Sequence, residues 1–144
     1  MIGCILTGHG SFAPGLSGAA QMITGPQENL DLIPFEAEMD PKLFEQNLQK
    51  SIEKCVENCK EVIVFTDLLG GTPFKTAMLL TQHMKNVEVI AGTNLPILLE
   101  FLGSRIFQES SEQLIPQLVE TGKQGIIHMQ LNHEEESEID ENGI

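Results

Sequence analysis

The chain has 144 residues, a length that suits one domain with a single hydrophobic core. Its formal charge is −13 and no cluster of Lys and Arg forms a basic surface, so we expect no nucleic-acid partner. No apolar run is long enough to predict a membrane span, and the first residues lack the basic leader of a signal peptide. The three cysteines have no nearby set of metal ligands, so we expect reduced, partly buried thiols, no metal site and no cofactor.

Much of the negative charge lies at the end of the chain. Residues 133–144 include six acidic side chains and no Lys or Arg. A segment of this composition cannot bury enough apolar surface to fold. We therefore expect one domain over residues 1–131 and an acidic, disordered tail over residues 132–144.

Strand and helix patterns alternate along the chain. Compact apolar runs predict strands at residues 2–6, 30–35, 61–67, 87–91 and 126–131. Apolar residues at helical spacing predict helices at residues 12–24, 41–59, 72–84, 95–106 and 110–122.

Several predicted helices carry start signals. Each of the dipeptides Asp40-Pro41 and Thr72-Pro73 has the pattern of an N-cap followed by proline at the first helical position. Ser110 and Gln113 resemble a capping box for the last helix. Pro116 lies inside that helix and indicates either a later start or a kink.

The alternation predicts an α/β fold, an open and mostly parallel sheet with helices on both faces. In such sheets ligands bind beyond the carboxyl ends of the strands, at the point where the strand order reverses. If the order is 2-1-3-4, the first and third strands are neighbours about 5 Å apart. The loops Thr7–Ser11 and Asp67–Thr72 would then meet, although the pattern favours this order without proving it.

His9 follows the first strand and Asp67 follows the third, so this order would make the two side chains face each other. A carboxylate that accepts a hydrogen bond from one imidazole N–H fixes the tautomer and leaves the other nitrogen with a lone pair. Such a nitrogen is a nucleophile near neutral pH. The glycines on both sides of His9 would let a large electrophile or another protein come close.

The second loop has the features of an anion-binding site. Gly70 and Gly71 free the backbone to aim N–H groups, and Thr72 begins a helix whose N-terminus is partly positive. The Thr72 hydroxyl could cap that helix or reach a bound oxygen. These residues predict a cradle for a phosphoryl group that needs no metal ligands.

Each feature also has a structural explanation. A histidine between glycines can be incidental, Asp67 can cap a turn, and Gly70-Gly71 can form an ordinary loop. A flavodoxin-like binder of small molecules would have the same sheet, but it would give His9 and Asp67 no joint role. The residues alone leave these alternatives open.

Several segments, in the same order, resemble the IIA domain of the mannose–fructose–sorbose family of the bacterial phosphoenolpyruvate-dependent sugar phosphotransferase system. They extend to about residue 131 and comprise Thr7–Gly10, Gly25–Asn29, Asp67–Phe74, Glu88–Pro96 and Glu120–Gly125. The resemblance implies that His9 carries the phosphoryl group on Nε2 and that Asp67 orients the imidazole. It also implies that Thr72 contacts the phosphoryl group, with amides of the Gly70-Gly71 loop nearby.

The resemblance implies partners as well. A phosphotransferase of this kind is a cytoplasmic phosphocarrier that accepts its phosphoryl group from HPr and passes it to the cognate IIB component. The IIC and IID membrane components choose the sugar, which this chain does not specify. Family members form homodimers that exchange the last strand, here residues 126–131, an edge that should not stay bare in a monomer.

The sequence departs from the family pattern in two places. Some members fuse IIA to IIB through an Ala/Pro-rich linker, whereas this chain ends in an acidic tail and resembles a free-standing IIA. Leu69 stands where some relatives carry an aromatic residue, which bears on the docking of IIB. Two alternatives within the fold are the phosphocarrier subunit for dihydroxyacetone kinase, with Ser-His-Ser in place of Gly8-His9-Gly10, and a non-catalytic regulatory module that senses phosphorylation.

Overall fold

The structure is a computed structural model that describes residues 1–131, and the predicted tail at residues 132–144 lies outside the described residues. The elements, in chain order, are β1 (Gly3–His9), α1 (Phe12–Thr24), β2 (Leu30–Phe35), α2 (Pro41–Asn58), β3 (Val62–Thr66), α3 (Thr72–Thr81), β4 (Val87–Ile90), α4 (Leu95–Ser104) and α5 (Ser111–Gln124). Among these helices, none combines the length and the apolar character needed to span a bilayer.

The strands form one open sheet in the order β2-β1-β3-β4, and every neighbouring pair is parallel. The predicted α/β fold and the predicted order 2-1-3-4 are therefore confirmed. The first connection leads from β1 outward to β2, and the next returns past β1 to β3. The strand order thus reverses between β1 and β3, where an open sheet of this kind leaves a crevice at its carboxyl edge.

The core consists of one apolar layer on each face of the sheet. Because successive strand residues point to opposite faces, each central strand contributes alternate side chains to the two layers. One layer contains Leu6, Ile63 and Phe65 and is covered by α1, α4 and α5. The other contains Ile5 and Val64 and is covered by α2 and α3. Burial on both faces is the reason that the central strands are continuous apolar runs.

Two of the predicted helix starts are found where the sequence placed them. Asp40 caps α2, because its Oδ1 accepts a hydrogen bond from the Lys42 N–H at 3.0 Å, and Pro41 is the first helical residue. Ser110 caps α5 through the Gln113 N–H at 3.4 Å. Helix α5 begins at Ser111 and runs through Pro116 as one continuous helix.

The predicted start of α3 was wrong by one residue. The N-cap is Gly71, in an extended conformation, and its carbonyl accepts the first helical hydrogen bond from the Lys75 N–H at 2.9 Å. Thr72 is therefore the first helical residue and Pro73 the second, and the Thr72 side chain caps nothing. Proline fits either position, because neither N–H has a partner in the first turn.

The predicted strand at residues 126–131 is not formed within the single chain. These residues follow α5 without regular structure, and the apolar side chains among them are exposed by 60–80%. A strand needs a neighbouring edge to satisfy its N–H and C=O groups, and no edge of the described sheet pairs with this segment. The exchange of this strand with a second chain remains a prediction.

The sequence analysis missed a buried cation that ties the amino-terminal end of the sheet together. Arg105, the single arginine of the chain, follows α4 and is 1% exposed. Its guanidinium donates to the carbonyls of Ile2 and Asn29 at 3.1 Å, to the Glu28 carbonyl, and to Gln27 Oε1 at 3.0 Å. A planar fork with several donors can satisfy all these acceptors at once.

Replacing Arg105 with Met should lower the free energy of unfolding by about 2–4 kcal/mol, because buried carbonyl groups would lose their donors. Lys should rescue only part of this loss, since an ammonium group cannot span the same acceptors. Lys85→Met at an exposed position is the control and should cost less than about 0.5 kcal/mol. Urea denaturation measures all three variants, and equal stability of the two Met variants would contradict the assigned role.

Candidate functional site

The pairing of β1 with β3 brings His9 and Asp67 together. Thr7 pairs with Thr66, so the next residues along the two strands, Gly8 and Asp67, lie side by side. A Cβ atom on Gly8 would lie 3.0 Å from Asp67 Cγ and 2.5 Å from an atom of the Phe12 ring. Gly8 therefore leaves the space through which the Asp67 side chain reaches the next residue, His9.

One carboxylate oxygen of Asp67 binds His9 twice. Asp67 Oδ2 accepts a hydrogen bond from the His9 backbone N–H at 2.9 Å and lies 2.8 Å from the ring atom Nδ1. The backbone contact fixes the end of β1 relative to the end of β3. The ring contact fixes the direction of the imidazole.

The protonation of Asp67 decides which ring nitrogen of His9 is free. Burial alone would raise the pKa of the Asp67 carboxyl, but the hydrogen bonds from the backbone and the ring of His9 outweigh it and lower this pKa below its ordinary value. Asp67 is thus a carboxylate near neutral pH and accepts a hydrogen bond from Nδ1. The assigned tautomer carries its proton on Nδ1 and leaves the lone pair of Nε2 available.

The pair has a solvent-facing side and a buried side. The His9 side chain is 46% exposed, whereas the Asp67 side chain is only 14% exposed. The imidazole therefore stands at an open edge of the sheet and not at the bottom of a closed cavity. A protein surface can approach such a nitrogen directly, whereas enclosed clefts are typical of sites for small molecules.

The loop after Asp67 lies against the His9 ring. A Cβ atom on Gly71 would lie 2.8 Å from His9 Cε1 and 3.6 Å from Nε2. Gly70 has a φ of 82°, in the left-handed region that glycine adopts without strain. The two glycines therefore let the backbone turn tightly and pass close to the imidazole.

The amide of Gly71 does not take the role that the predicted phosphoryl cradle gave it. Its N–H donates to the Leu68 carbonyl at 3.0 Å and so closes a turn, instead of pointing freely toward an anion. The amides of Thr72 and Phe74 have no acceptor within the helix. These amides and the Thr72 hydroxyl are donors in the first turn of α3, which directly follows Gly71.

The sequence analysis did not find the contact between His9 and Phe35. Phe35 is the last residue of β2 and pairs with His9 in the parallel register. The two rings meet edge to face, with their centroids 5.9 Å apart and an angle of 72° between their planes. The signal in the sequence was weak, because an apolar residue at the end of a predicted strand is ordinary.

The glycines on either side of His9 serve different purposes. Gly10 has a φ of 56°, and a Cβ atom there would meet nothing within 4 Å, so this side is open as predicted. Gly8 instead makes room for internal contacts with Asp67 and Phe12. Only one of the two glycines therefore leaves space for an approaching molecule.

The cysteines and the other histidines of the described residues are weak candidates for a nucleophile or a metal ligand. Burial raises the pKa of Cys4 to about 12, and burial with the neighbouring Cys59 raises that of Cys55 to about 11. Such thiols are poor nucleophiles at neutral pH. His83 and His128 are exposed. Within the described part of the chain no group of three or more His, Cys, Asp or Glu side chains is arranged to hold a metal ion.

Comparison with known proteins shows the family to which the chain belongs. The family described as "PTS system fructose IIA component" (EIIA-man) matches residues 3–119. The chain belongs to the EIIA-man family. The match covers all four strands and both loops that carry His9 and Asp67, so it includes the whole candidate site.

Curated relatives and a solved structure of EIIA proteins show the same likeness. The mannose-specific EIIAB component of Escherichia coli K12 is 32% identical over 87% of this chain, and the chain spans 38% of the length of that relative. The fructose-specific EIIA component of Bacillus subtilis is 33% identical over 73% of this chain and 71% of its own length. The EIIA component from Streptococcus agalactiae superposes with a TM-score of 0.79 and 32% identity, over 89% of this chain and 97% of that chain.

The lowered pKa of Asp67 predicts a pH dependence of stability. A carboxyl group whose pKa is lower in the folded state stabilises the fold above its unfolded pKa, ordinarily about 3.8, and this contribution is lost as the pH falls through the lower folded value. The difference in unfolding free energy between the unmodified chain and Asp67→Asn should therefore be larger at pH 6 than at pH 3. Urea denaturation at both pH values measures it, and an equal difference would contradict the assigned carboxylate.

Proposed function

We propose that this chain is a cytoplasmic phosphocarrier of a sugar phosphotransferase system, with the phosphoryl group on Nε2 of His9. The donor is the phosphohistidine of HPr, and the acceptor is the cognate IIB component. The observation that carries the proposal is the exposed imidazole of His9. Its Nδ1 is hydrogen-bonded to the Asp67 carboxylate, so the lone pair of Nε2 is free to react. Membership of the EIIA-man family supports it.

The chemical step follows from the tautomer. The lone pair of Nε2 attacks phosphorus, and the P–N bond of the donor phosphohistidine breaks as the new P–Nε2 bond forms. The electrons of the broken bond go to the donor imidazole, which leaves neutral because its second nitrogen carries a proton. The proton on Nδ1 stays on His9, and Asp67 stabilises the positive charge that the ring gains.

The surroundings of His9 support the handling of an anion. The phosphoryl oxygens would lie near the positive end of α3 and its unbonded amides of Thr72 and Phe74. The Thr72 hydroxyl can add a further hydrogen bond. Gly70 and Gly71 contribute by their small size, since they bring the backbone close to Nε2. Transfer between two proteins then needs positioning and charge stabilisation, and no metal.

The surface beside His9 supports a protein partner. Leu68 and Leu69 follow Asp67 directly and are 59% and 72% exposed. Exposed apolar side chains next to a reactive nitrogen suit docking of another protein better than binding of a sugar. The same observation disfavours a flavodoxin-like binder of small molecules, for which we expect a concave and largely enclosed site.

We expect His9 to be phosphorylated when the chain is incubated with labelled phosphoenolpyruvate, enzyme I and HPr. The intact mass should rise by one phosphoryl group, and the label should be labile in acid, as phosphohistidine is. His9→Gln should abolish labelling, because the lone pair of Nε2 is gone. The matched control is His83→Gln at an exposed position, which should be labelled like the unmodified chain. Labelling of His9→Gln would refute the assignment.

The exposed end of the domain supports a homodimer as a second part of the proposal. Residues 126–131 carry Ile126, Ile127, Met129 and Leu131, all more than half exposed, and β4 is an edge strand. A cavity of about 200 Å³ at the carboxyl end of β4 is lined by Ile90, by Ile97 of α4 and by Val119 of α5, and Ile126 of the segment itself also lines it. We propose that the segment of one chain adds to the β4 edge of a second copy and that the domain ends near residue 131.

Size-exclusion chromatography with light scattering tests the dimer. The full chain should have twice its chain mass of 15.9 kDa. A chain that ends at Leu131 should remain dimeric, whereas one that ends at Gly125 should be monomeric. This pair of truncations separates the apolar segment from the acidic tail. A dimer that persists in the shorter chain would contradict strand exchange.

A further inference from the structure

We infer that Phe35 is a positioning residue for the His9 imidazole, and this inference rests on the proposed function of His9. The hydrogen bond to Asp67 holds the imidazole at one atom, Nδ1. A ring held at Cβ and at one nitrogen can still rock about its side-chain bonds, which moves Nε2. A contact on a second side of the ring is needed to define the direction of Nε2.

Phe35 supplies that second contact. Its ring meets the imidazole at an interplanar angle of 72° with the centroids 5.9 Å apart, within the range in which edge-to-face aromatic pairs are favourable. The Gly71 backbone passes the imidazole at Cε1. The ring is thus restrained by Asp67, by Phe35 and by Gly71, while Nε2 faces the start of α3.

The Phe35 ring is itself fixed by the core. It packs against Phe44 of α2, with ring centroids 5.0 Å apart, and Phe44 is fully buried. The backbone of Phe35 is held as well, because its carbonyl accepts a hydrogen bond from the Gly10 N–H at 2.8 Å. The ring contacts from His9 to Phe35 and from Phe35 to Phe44 therefore connect the exposed imidazole to the buried layer under α2.

This arrangement predicts a specific kinetic defect. Phe35→Leu keeps an apolar side chain but removes the flat partner of the imidazole. The maximal rate of phosphoryl transfer from phospho-HPr should fall about three- to tenfold, the factor that an aromatic pair of this kind corresponds to. The KM for phospho-HPr should not change, because the positioning acts on the imidazole and not on the docking surface. Phe35→Tyr keeps the ring and should restore most of the rate.

A matched control separates positioning from loss of packing. Phe101 of α4 is a buried phenylalanine whose ring packs against Phe65 in the layer on the opposite face of the sheet. Phe101→Leu should lower stability at least as much as Phe35→Leu, yet leave the transfer rate unchanged. If both variants slow transfer equally, or if Phe35→Leu raises KM and keeps the maximal rate, Phe35 does not position His9.

Carbon-13 relaxation at His9 Cε1 tests the inference without any donor. The order parameter of the Cε1–H bond should fall in Phe35→Leu and stay unchanged in Phe101→Leu. The nitrogen-15 chemical shifts of the His9 ring should show the Nδ1–H tautomer in Phe35→Leu. In Asp67→Asn they should show that this tautomer is no longer favoured. An unchanged order parameter in Phe35→Leu would overturn the positioning role. Failure of the unmodified chain to be labelled would instead refute the proposed function, since the relaxation measurement does not depend on it.

Discussion

The register between β1 and β3 is the constraint on which the site depends. Because Thr7 pairs with Thr66, β1 continues to His9, two residues beyond its last pair with β3, and Asp67 lies beside Gly8, one residue short of His9. A single oxygen of Asp67 then reaches both the backbone and the ring of His9. A shift of the register by one residue would turn the side chains of β3 to the opposite face and separate the pair.

The close approach of the backbone to side chains at two glycines is the second constraint on the site. Gly8 admits the Asp67 carboxyl and Gly71 admits the His9 ring, and a Cβ atom at either position would collide with its neighbour. The loop glycines therefore matter here through their missing side chains more than through amides that they offer to an anion. The amide of Gly71 is already used by the turn to Leu68.

The two ends of the sheet serve different purposes. At the amino-terminal end Arg105 is buried and its donors bind backbone carbonyls of the segments before β1 and β2. At the carboxyl end the strands finish in short loops, and the hydrogen-bonded pair of His9 and Asp67 is partly open to solvent. A fixed amino-terminal end and an accessible imidazole at the opposite end suit the proposed role of His9, in which the imidazole reacts at the surface without moving the core.

The sequence by itself determined the order of the elements from β1 to α5, the α/β class and the loops that contain His9 and Asp67. Continuous apolar runs, helical spacing and the Asp-Pro and Gly-Gly signals are local, and local patterns are what a sequence shows directly. They placed β1 to β4 closely, and they singled out His9 and Asp67 as a candidate pair. They missed Phe35, because an apolar residue at a strand end carries no sign of what lies beside it.

Only the tertiary structure decided the contacts that make the pair specific. The pattern favoured the strand order 2-1-3-4 but only the pairing of the strands established it. The N-cap of α3 depended on how the backbone turns at Gly71, one residue before the predicted Thr72. The segment 126–131 has the composition of a strand but no edge to pair with inside one chain. Pairing, close approach and burial join residues that are distant in sequence. Their partners are therefore fixed by packing and not by local pattern.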